Sequence, residues 1–118
     1  MRHSDGMAYD EELANRIRTE VQDVDNVTEV RMFGGLAFLV GGNMAVAASG
    51  QGGLMLRADP DQSEELASRP HAGRMVMRGK EMNGWLRVDS AGIESDDDLA
   101  RWVDIGVRYA SSLPPKMR

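Results

Sequence analysis

The spacing of apolar residues near the start of the chain predicts an amphipathic helix. Leu13, Ile17 and Val21 recur every four residues, which places them on one face of an α-helix. Asp10 comes just before this stretch and is a favoured N-cap residue. We therefore expect a helix that begins after Asp10 and ends near residues 23–26.

The middle of the chain changes to an alternating pattern in which both faces are apolar. Residues 36–40, 43–48 and 54–57 predict three strands, because a strand covered on both sides carries apolar residues at successive positions. Gly41–Gly42 suits a two-residue hairpin turn, and the glycine-rich segment 49–53 marks a second turn. The pattern thus predicts a three-stranded antiparallel meander.

Helix and strand signals alternate again after the meander. Asp59 followed by Pro60 is typical of a helix start, with an N-cap and a proline at the first helical position. Pro70 predicts that this helix stops before it, since the residue preceding a proline is pushed out of helical geometry. Residues 75–77 and 85–89 then predict two further short strands.

The last helix is predicted by its cap and its first turn. Ser95 precedes Asp96–Asp98, and carboxylates are favourable at the positive end of a helix dipole. The helix should end at Leu113–Pro115. The complete order, α-β(3)-α-β(2)-α, predicts an α+β fold with an antiparallel sheet and helices. We expect a flexible leader over residues 1–8 and a single domain over residues 9–116.

Composition places the chain among soluble globular proteins. Of its 118 residues, 42% are apolar and 28% are charged, which is ordinary for a folded domain. Glycines interrupt the longest apolar run before the roughly 18 residues of a membrane span, and the amino terminus lacks the order of a signal peptide. The chain has no cysteine, which agrees with a reducing compartment. The sequence therefore predicts a cytoplasmic protein without a membrane segment.

Short motifs along most of the chain resemble the amino-terminal domain of the TfoX/Sxy family. They are Tyr9–Leu13, Val30–Gly35, Asn43–Ala45, Gly53–Arg57, Met77–Gly79, Gly84–Trp85 and Leu113–Pro115. The resemblance implies a fold like that of type III secretion chaperones, with the same element order. It also implies a non-enzymatic role, since TfoX-like proteins regulate natural competence and act in transcription with other factors. The full regulators carry a second, carboxy-terminal domain, so the chain resembles a stand-alone TfoX amino-terminal domain protein.

Two parts of the sequence are candidates for contact with a protein partner. One is a glycine-shaped corner, and the other is a short strand with an aromatic residue and a cation: Arg31, Met32, Phe33, Gly34 and Gly35, and Trp85 and Arg87. Aromatic residues and arginine are enriched in protein interfaces. The alternatives are structural, with Phe33 in the core, the glycines in a bulge and Trp85 packed against the final helix. A homodimer is left open.

The basic residues from position 69 onwards form a second candidate surface. Arg69, Arg74, Arg78 and Lys80 are opposed only by Glu81, and clustered positive charge can bind phosphates. This segment predicts a weak nucleic-acid patch, with solvated charges around a loop and an edge strand as the alternative. The net charge of −5 argues against nucleic-acid binding as the main role.

No combination of residues in the sequence has the pattern of a catalytic or metal site. His71 has no serine, cysteine or second histidine nearby, and the consecutive carboxylates Asp96–Asp98 point in different directions on a helix. We therefore predict no enzyme activity, no cofactor and no metal. The alternative is a small enzyme or metabolite-binding protein with a cleft between sheet and helix. A deep pocket lined by Arg31, Arg57 or Arg74 would favour it.

Nine methionines are many for a chain of this length, and most fall in or near predicted strands: Met32, Met44, Met55, Met75, Met77 and Met82. Flexible thioethers can line an adaptable binding surface, and they can also fill gaps in a core with few aromatic residues. A methionine-rich exposed face would favour partner binding. The position of these side chains therefore decides between the two interpretations.

Overall fold

Three helices and six strands alternate along the part of the chain that the structure describes. The structure is a computed structural model, and it describes residues 9–32 and 34–116. The helices are α1 (Glu11–Glu20), α2 (Ser63–Ala67) and α3 (Asp96–Ser112), and the strands are β1 (Val27–Met32), β2 (Gly35–Val40), β3 (Asn43–Ala48), β4 (Leu54–Arg57), β5 (Ala72–Met77) and β6 (Lys80–Val88). Short 3-10 turns at Pro60–Gln62 and Ser90–Ile93 precede α2 and α3. The predicted leader over residues 1–8 lies outside the described residues.

The strands form one antiparallel sheet in the order β1-β2-β3-β4-β6-β5. The predicted α+β class and the alternation of helix and strand groups are confirmed. The first group contains four strands rather than three, because Val27–Met32 pairs with β2 at the edge of the sheet. Most residues of this edge strand are exposed. It therefore lacks the apolar alternation that marks a half-buried strand.

The caps that the sequence predicts are present at the starts of the long helices. The side chains of Asp10 and Ser95 each accept hydrogen bonds from backbone N–H groups in the first turns of α1 and α3. α1 ends at Glu20, before the predicted end, because the chain turns there towards β1. In that turn the backbone N–H of Val24 donates to the carbonyl of Val21.

The helices pack on one side of the sheet, which we call the covered face. They form the main core with the strand side chains that point towards them: Leu13, Ile17, Leu66, Leu99, Trp102 and Val103 from the helices, and Leu36, Phe38, Val46, Leu54, Leu56, Leu86 and Val88 from the strands. The apolar faces of the helices are buried in this contact. Within residues 9–32 and 34–116, none of the helices has the length and apolar character that crossing a bilayer would require.

The hairpin formed by β5 and β6 bends in its middle. Arg74 pairs with Leu86, whereas Met75 pairs with Met82, so three consecutive residues of β6 have no partner in β5. Gly84 lies among these three residues with a φ of 83°, and its N–H donates to Ser63 Oγ at 2.6 Å. An irregularity of this kind changes the direction of a strand. The outer part of the hairpin, residues 75–82, is called the tip below.

Candidate functional site

The face of the sheet opposite the covered face carries a second apolar cluster, which we call the open face. Every strand contributes to it, with longer side chains around central alanines: Met32, Ala37, Leu39, Met44, Ala47, Met55, Met75 and Trp85. No helix residue in the described part of the chain belongs to this cluster. The open face is therefore an apolar sheet surface without the helical cover that the other side has.

Methionine is distributed unequally between the two faces. Four of the eight open-face residues are methionines, whereas the main core under the helices contains none in the described residues. The core consists mainly of leucine, isoleucine, valine and alanine with a few aromatic residues. The methionines thus do not fill gaps in the helix-covered core. They line the side that no helix covers, where Met44 and Met55 are buried and Met32 and Met75 are half-buried. Flexible thioethers in such positions can adapt to the shape of a contacting surface.

The tip leans over one end of the open face and forms a cavity of about 260 Å³, which we call the tip pocket. Ala47 and Met55 from the middle strands line it together with Met75 and Met77 from the tip. Met32 from β1, at the opposite edge of the sheet, also lines it. The bend of the hairpin and the curvature of the sheet therefore bring both edges to one cavity.

Arg87 occupies the wall of the tip pocket and is held by a loop that is distant in sequence. Its Nη1 donates to Ser49 Oγ and Gln51 Oε1, each at 3.3 Å, and its Nη2 donates to the carbonyl of Gly52 at 3.0 Å. All three acceptors are uncharged. No described carboxylate forms a salt bridge with Arg87. The loop fixes the guanidinium in position and leaves its positive charge without an anionic partner among those residues.

Trp85 lies on the open face rather than in the main core. The guanidinium of Arg57 lies over its ring, 5.5 Å from the centroid, and also 5.6 Å from the centroid of Tyr109 on α3. Such cation–π contacts stabilise the position of an arginine between aromatic rings. The tryptophan packed in the core beside α2 and the strands is Trp102, from α3 itself. Trp85 is thus half-buried at one end of the open face.

The predicted corner at residues 31–35 is divided between the two sides of the sheet. Met32 belongs to the open face, and Arg31, the preceding residue of the same strand, points to the opposite side. One depression at the edge of the sheet is nevertheless lined by four corner residues together with Tyr9: Arg31, Met32, Gly34 and Gly35. Phe33 lies outside the described residues. Of this candidate set, Met32 is the side chain that the structure brings together with Arg87, because both line the tip pocket.

The glycines of the corner allow two backbone segments to approach closely. A Cβ at Gly35 would overlap the carbonyl oxygen of Ala48, and a Cβ at Gly50 would lie 2.6 Å from the carbonyl oxygen of Gly34. Neither position can accept a side chain without movement of the backbone. Gly35 therefore has a structural reason to be glycine, and Gly34 has one in its positive φ of 76°. Neither lies in the bulge considered for them, since the register shift of β2 is between Phe38 and Leu39.

The basic residues of the candidate nucleic-acid patch are dispersed. Arg69 follows α2, forms a salt bridge with Glu65 at 2.9 Å and lies over the ring of Trp102. Arg74 forms a salt bridge with Glu81 at 3.2 Å. Both arginines thus form salt bridges with nearby carboxylates in the described structure, which reduces their attraction for phosphates.

The remaining members of that patch lie at the tip. Arg78 lies in its turn and Lys80 directly follows the turn, and Arg78 lines the tip pocket with Arg87. Neither Arg78 nor Lys80 forms a salt bridge with a described carboxylate. The members of this patch that have no described salt bridge therefore lie together at the tip, near Arg87, rather than along a continuous surface.

The three arginines expected to line the alternative cleft do not come together in the described structure. Arg31, Arg57 and Arg74, which would line the alternative cleft, lie on β1, β4 and β5, apart from one another in the sheet. Among the described residues, no group of three or more histidines and carboxylates could hold a metal ion. The carboxylate of Asp98 at the start of α3 accepts from Arg101, and this bond, followed by that with Ser95, lowers the pKa of Asp98.

Residues that position Arg87 were not identified from the sequence. Ser49 and Gln51 lie in a glycine-rich loop, where they have the composition of an ordinary turn. A signal for the open face was nevertheless present, since Leu54-Met55-Leu56 alternates branched aliphatic residues with a methionine. Such alternation assigns the two residue types to opposite faces of a strand.

Comparison with known proteins identifies the family of the chain. The family model of the TfoX N-terminal domain matches residues 19–110, which is most of the 118 residues. Among curated proteins, none matches the chain. The matched segment includes all six strands, the tip and most of α3, and therefore the whole open face. The chain belongs to the TfoX N-terminal domain family.

Proposed function

We propose that this domain is a regulatory interaction module that binds a protein partner through its open face. The observation that carries the proposal is the concentration of methionines on the side of the sheet that no helix covers. Methionine side chains are flexible and polarizable, so they adapt to the shape of an apolar partner surface. Trp85 and Arg57 at one end of the open face are residue types that are enriched in protein interfaces.

The regulatory part of the proposal comes from the family. TfoX-like regulators act on natural competence through transcription, and we propose a role of this kind for the chain. The cytoplasmic location predicted from its sequence, and action without catalysis or a cofactor, belong to the same proposal. Arg69 and Arg74 are paired with carboxylates, and this pairing supports protein contact over phosphate binding as the principal interaction.

Site-specific crosslinking tests whether the open face contacts a partner. Val30 is 40% exposed and pairs with Ala37, an open-face residue, so a photoreactive benzoylphenylalanine at position 30 reports on that side. Arg108 on α3 has an 80% exposed side chain and provides a matched position on the helical side. We expect a discrete crosslinked protein from position 30 in living cells and none from position 108. Equal crosslinking from both positions, or none from position 30, would contradict the proposal.

The regulatory consequence is tested with a variant of the open face. Met32→Gln combined with Met75→Gln keeps chain length and flexibility but introduces polar groups into the contact surface. We expect the variant to lose the crosslinked protein and to change the same transcripts as deletion of the gene. Circular dichroism should show an intact fold. A variant that loses the crosslink but keeps normal transcript levels would show that regulation does not depend on this contact.

A further inference from the structure

The tip pocket has a composition that indicates what part of a partner it receives. Its apolar lining includes four methionines, and its charged residues are Arg78 and Arg87; the methionines are Met32, Met55, Met75 and Met77. Its lining contains no carboxylate. The pocket is thus both apolar and positively charged, although the chain as a whole carries a net charge of −5. Complementarity requires an occupant that combines apolar groups with negative charge.

The hydrogen-bonding state of Arg87 favours a carboxylate as the negative group. A guanidinium has five N–H donors, and three hydrogen bonds from Arg87 to uncharged acceptors are present. Two donors therefore have no acceptor among the described residues. Arginine binds carboxylates through two parallel hydrogen bonds, and a guanidinium that is already held in place loses little freedom on binding.

The size and surroundings of the pocket favour a peptide segment over a metabolite. A cavity of about 260 Å³ is smaller than the roughly 300–1,000 Å³ of pockets that enclose a drug-sized ligand, but it can receive individual side chains. β5 is the last strand of the sheet, so the outer side of its backbone pairs with no strand among the described residues. Val76 is 58% exposed beside the pocket. An extended segment can add to such an edge and direct alternate side chains into a neighbouring pocket.

We propose that the tip pocket binds an extended segment of the protein partner in which an aspartate or glutamate is flanked by apolar residues. The carboxylate accepts hydrogen bonds from Arg87, with Arg78 beside it, and the apolar side chains contact Met32, Met55 and Met75. The proposal rests on the protein-binding function proposed above and names the chemistry that the open face recognises.

A peptide library measures this preference directly. The probes are fluorescent heptapeptides in which a central aspartate or glutamate is flanked by every pairing of leucine, isoleucine, valine, phenylalanine and methionine, and a matched library has asparagine or glutamine at the centre. By fluorescence anisotropy with the full chain, we expect the best acidic peptides to bind at least about tenfold more tightly than their amide counterparts. Absence of binding by the whole acidic library, or equal binding of both libraries, would overturn the proposal.

Variants assign the preference to the arginines. Arg87→Gln should remove the difference between the two libraries, and Arg78→Gln, at an exposed position, should reduce it without affecting the fold. Arg108→Gln removes the same charge from the opposite side of the protein and should leave the difference unchanged. Free decanoate is a competitor with a carboxylate and an apolar chain. If decanoate binds in a manner that depends on Arg87 and no peptide binds, the ligand of the pocket is a small anion rather than a peptide segment. That result would overturn the proposal.

Crosslinking separates failure of this inference from failure of the proposed function. If Arg87→Gln leaves the crosslink from position 30 at full yield while Met32→Gln with Met75→Gln removes it, the open face binds a protein without recognising a carboxylate. If no variant and no position on the open face gives a specific crosslink, the protein-binding function itself is wrong. Loss of the crosslink in Arg87→Gln with retention in Arg108→Gln supports both.

Discussion

The two faces of the sheet are both apolar, but they are built from different residues. The covered face presents leucine, valine and phenylalanine to the helices, whereas the open face presents methionine and alanine and has no helix packed on it in the described chain. Branched and aromatic side chains have few rotamers and specify one tight packing, while methionine accepts several. This difference agrees with the proposal above, in which the helices cover one face permanently and a partner contacts the other.

The sharpest test of this comparison uses adjacent residues of β4. Leu56 points to the covered face with no exposed surface, and Met55 points to the open face with 5% exposure. Leu56→Ala should reduce the free energy of unfolding by about 2–5 kcal/mol, since it leaves a cavity in the core. Met55→Ala should cost about 1–2 kcal/mol, because Met55 lines the tip pocket, so the space left by its side chain joins that pocket and mainly the transfer term is lost. Chemical denaturation measures both.

Equal losses in the two variants would break the comparison. They would mean that Met55 is enclosed as firmly as Leu56, and the open face would then be a second core rather than a binding surface. The partner identified by crosslinking, added in purified form, extends the test. Its binding should raise the free energy of unfolding less in Met55→Ala than in Leu56→Ala, since only Met55 lies on the proposed contact surface.

The close backbone contact beside the tip pocket gives the next largest expected effect. Gly35→Ala places a methyl group against the carbonyl of Ala48, so the backbone must shift, at a cost of about 1–3 kcal/mol. Gly73→Ala, on β5, meets no atom within 4 Å and needs no positive φ, and its effect should stay within about 0.5 kcal/mol. Thermal unfolding compares the two, and a similar melting temperature for both variants would show that the contact is not tight.

The smallest expected effect concerns an ion pair that joins α1 to the edge of the sheet. Arg18 Nε donates to Glu29 Oε2 at 2.7 Å, and this hydrogen bond holds the pKa of Glu29 below its ordinary value. Both side chains are more than a third exposed, so solvent screening limits the contribution. Glu29→Gln should cost at most about 1 kcal/mol at neutral pH.

The pH dependence of the stability lost in Glu29→Gln tests whether the Arg18–Glu29 ion pair is its source. A carboxylate with a lowered folded-state pKa contributes stability above its unfolded pKa of about 4.3. This contribution is lost as the pH falls through the folded value, so wild type and Glu29→Gln should converge in acid. Glu64→Gln removes the same charge from a residue without a salt bridge in the described structure. A constant difference between wild type and Glu29→Gln at all pH values would exclude the pair as the cause.

Much of the fold follows from short-range signals in the sequence. The caps at Asp10 and Ser95, the hairpin at Gly41–Gly42 and a strand that includes residues 85–88 are confirmed, because each depends on neighbouring residues. These signals operate through backbone hydrogen bonds and side-chain alternation, which are properties of the local chain.

Long-range contacts decided the features that the sequence could not predict. β1 is a strand because it pairs with β2, although its own residues are mostly exposed. The candidate corner is divided because Arg31 and Met32 are consecutive residues of that strand and therefore point to opposite sides. Arg87 gains its position from Ser49 and Gln51, which lie 38 and 36 residues away. No local pattern reports such partners.

The sequence by itself determined the helix starts, the hairpins of the central strands and the apolar character of both sides of the sheet. Only the tertiary structure decided which apolar side the helices cover and where the tip of the β5–β6 hairpin lies. The physical reason is that strand alternation separates two faces without ranking them. The choice between the faces depends on the docking of helices and on a bend fixed by Ser63 and Gly84, which are 21 residues apart in the chain.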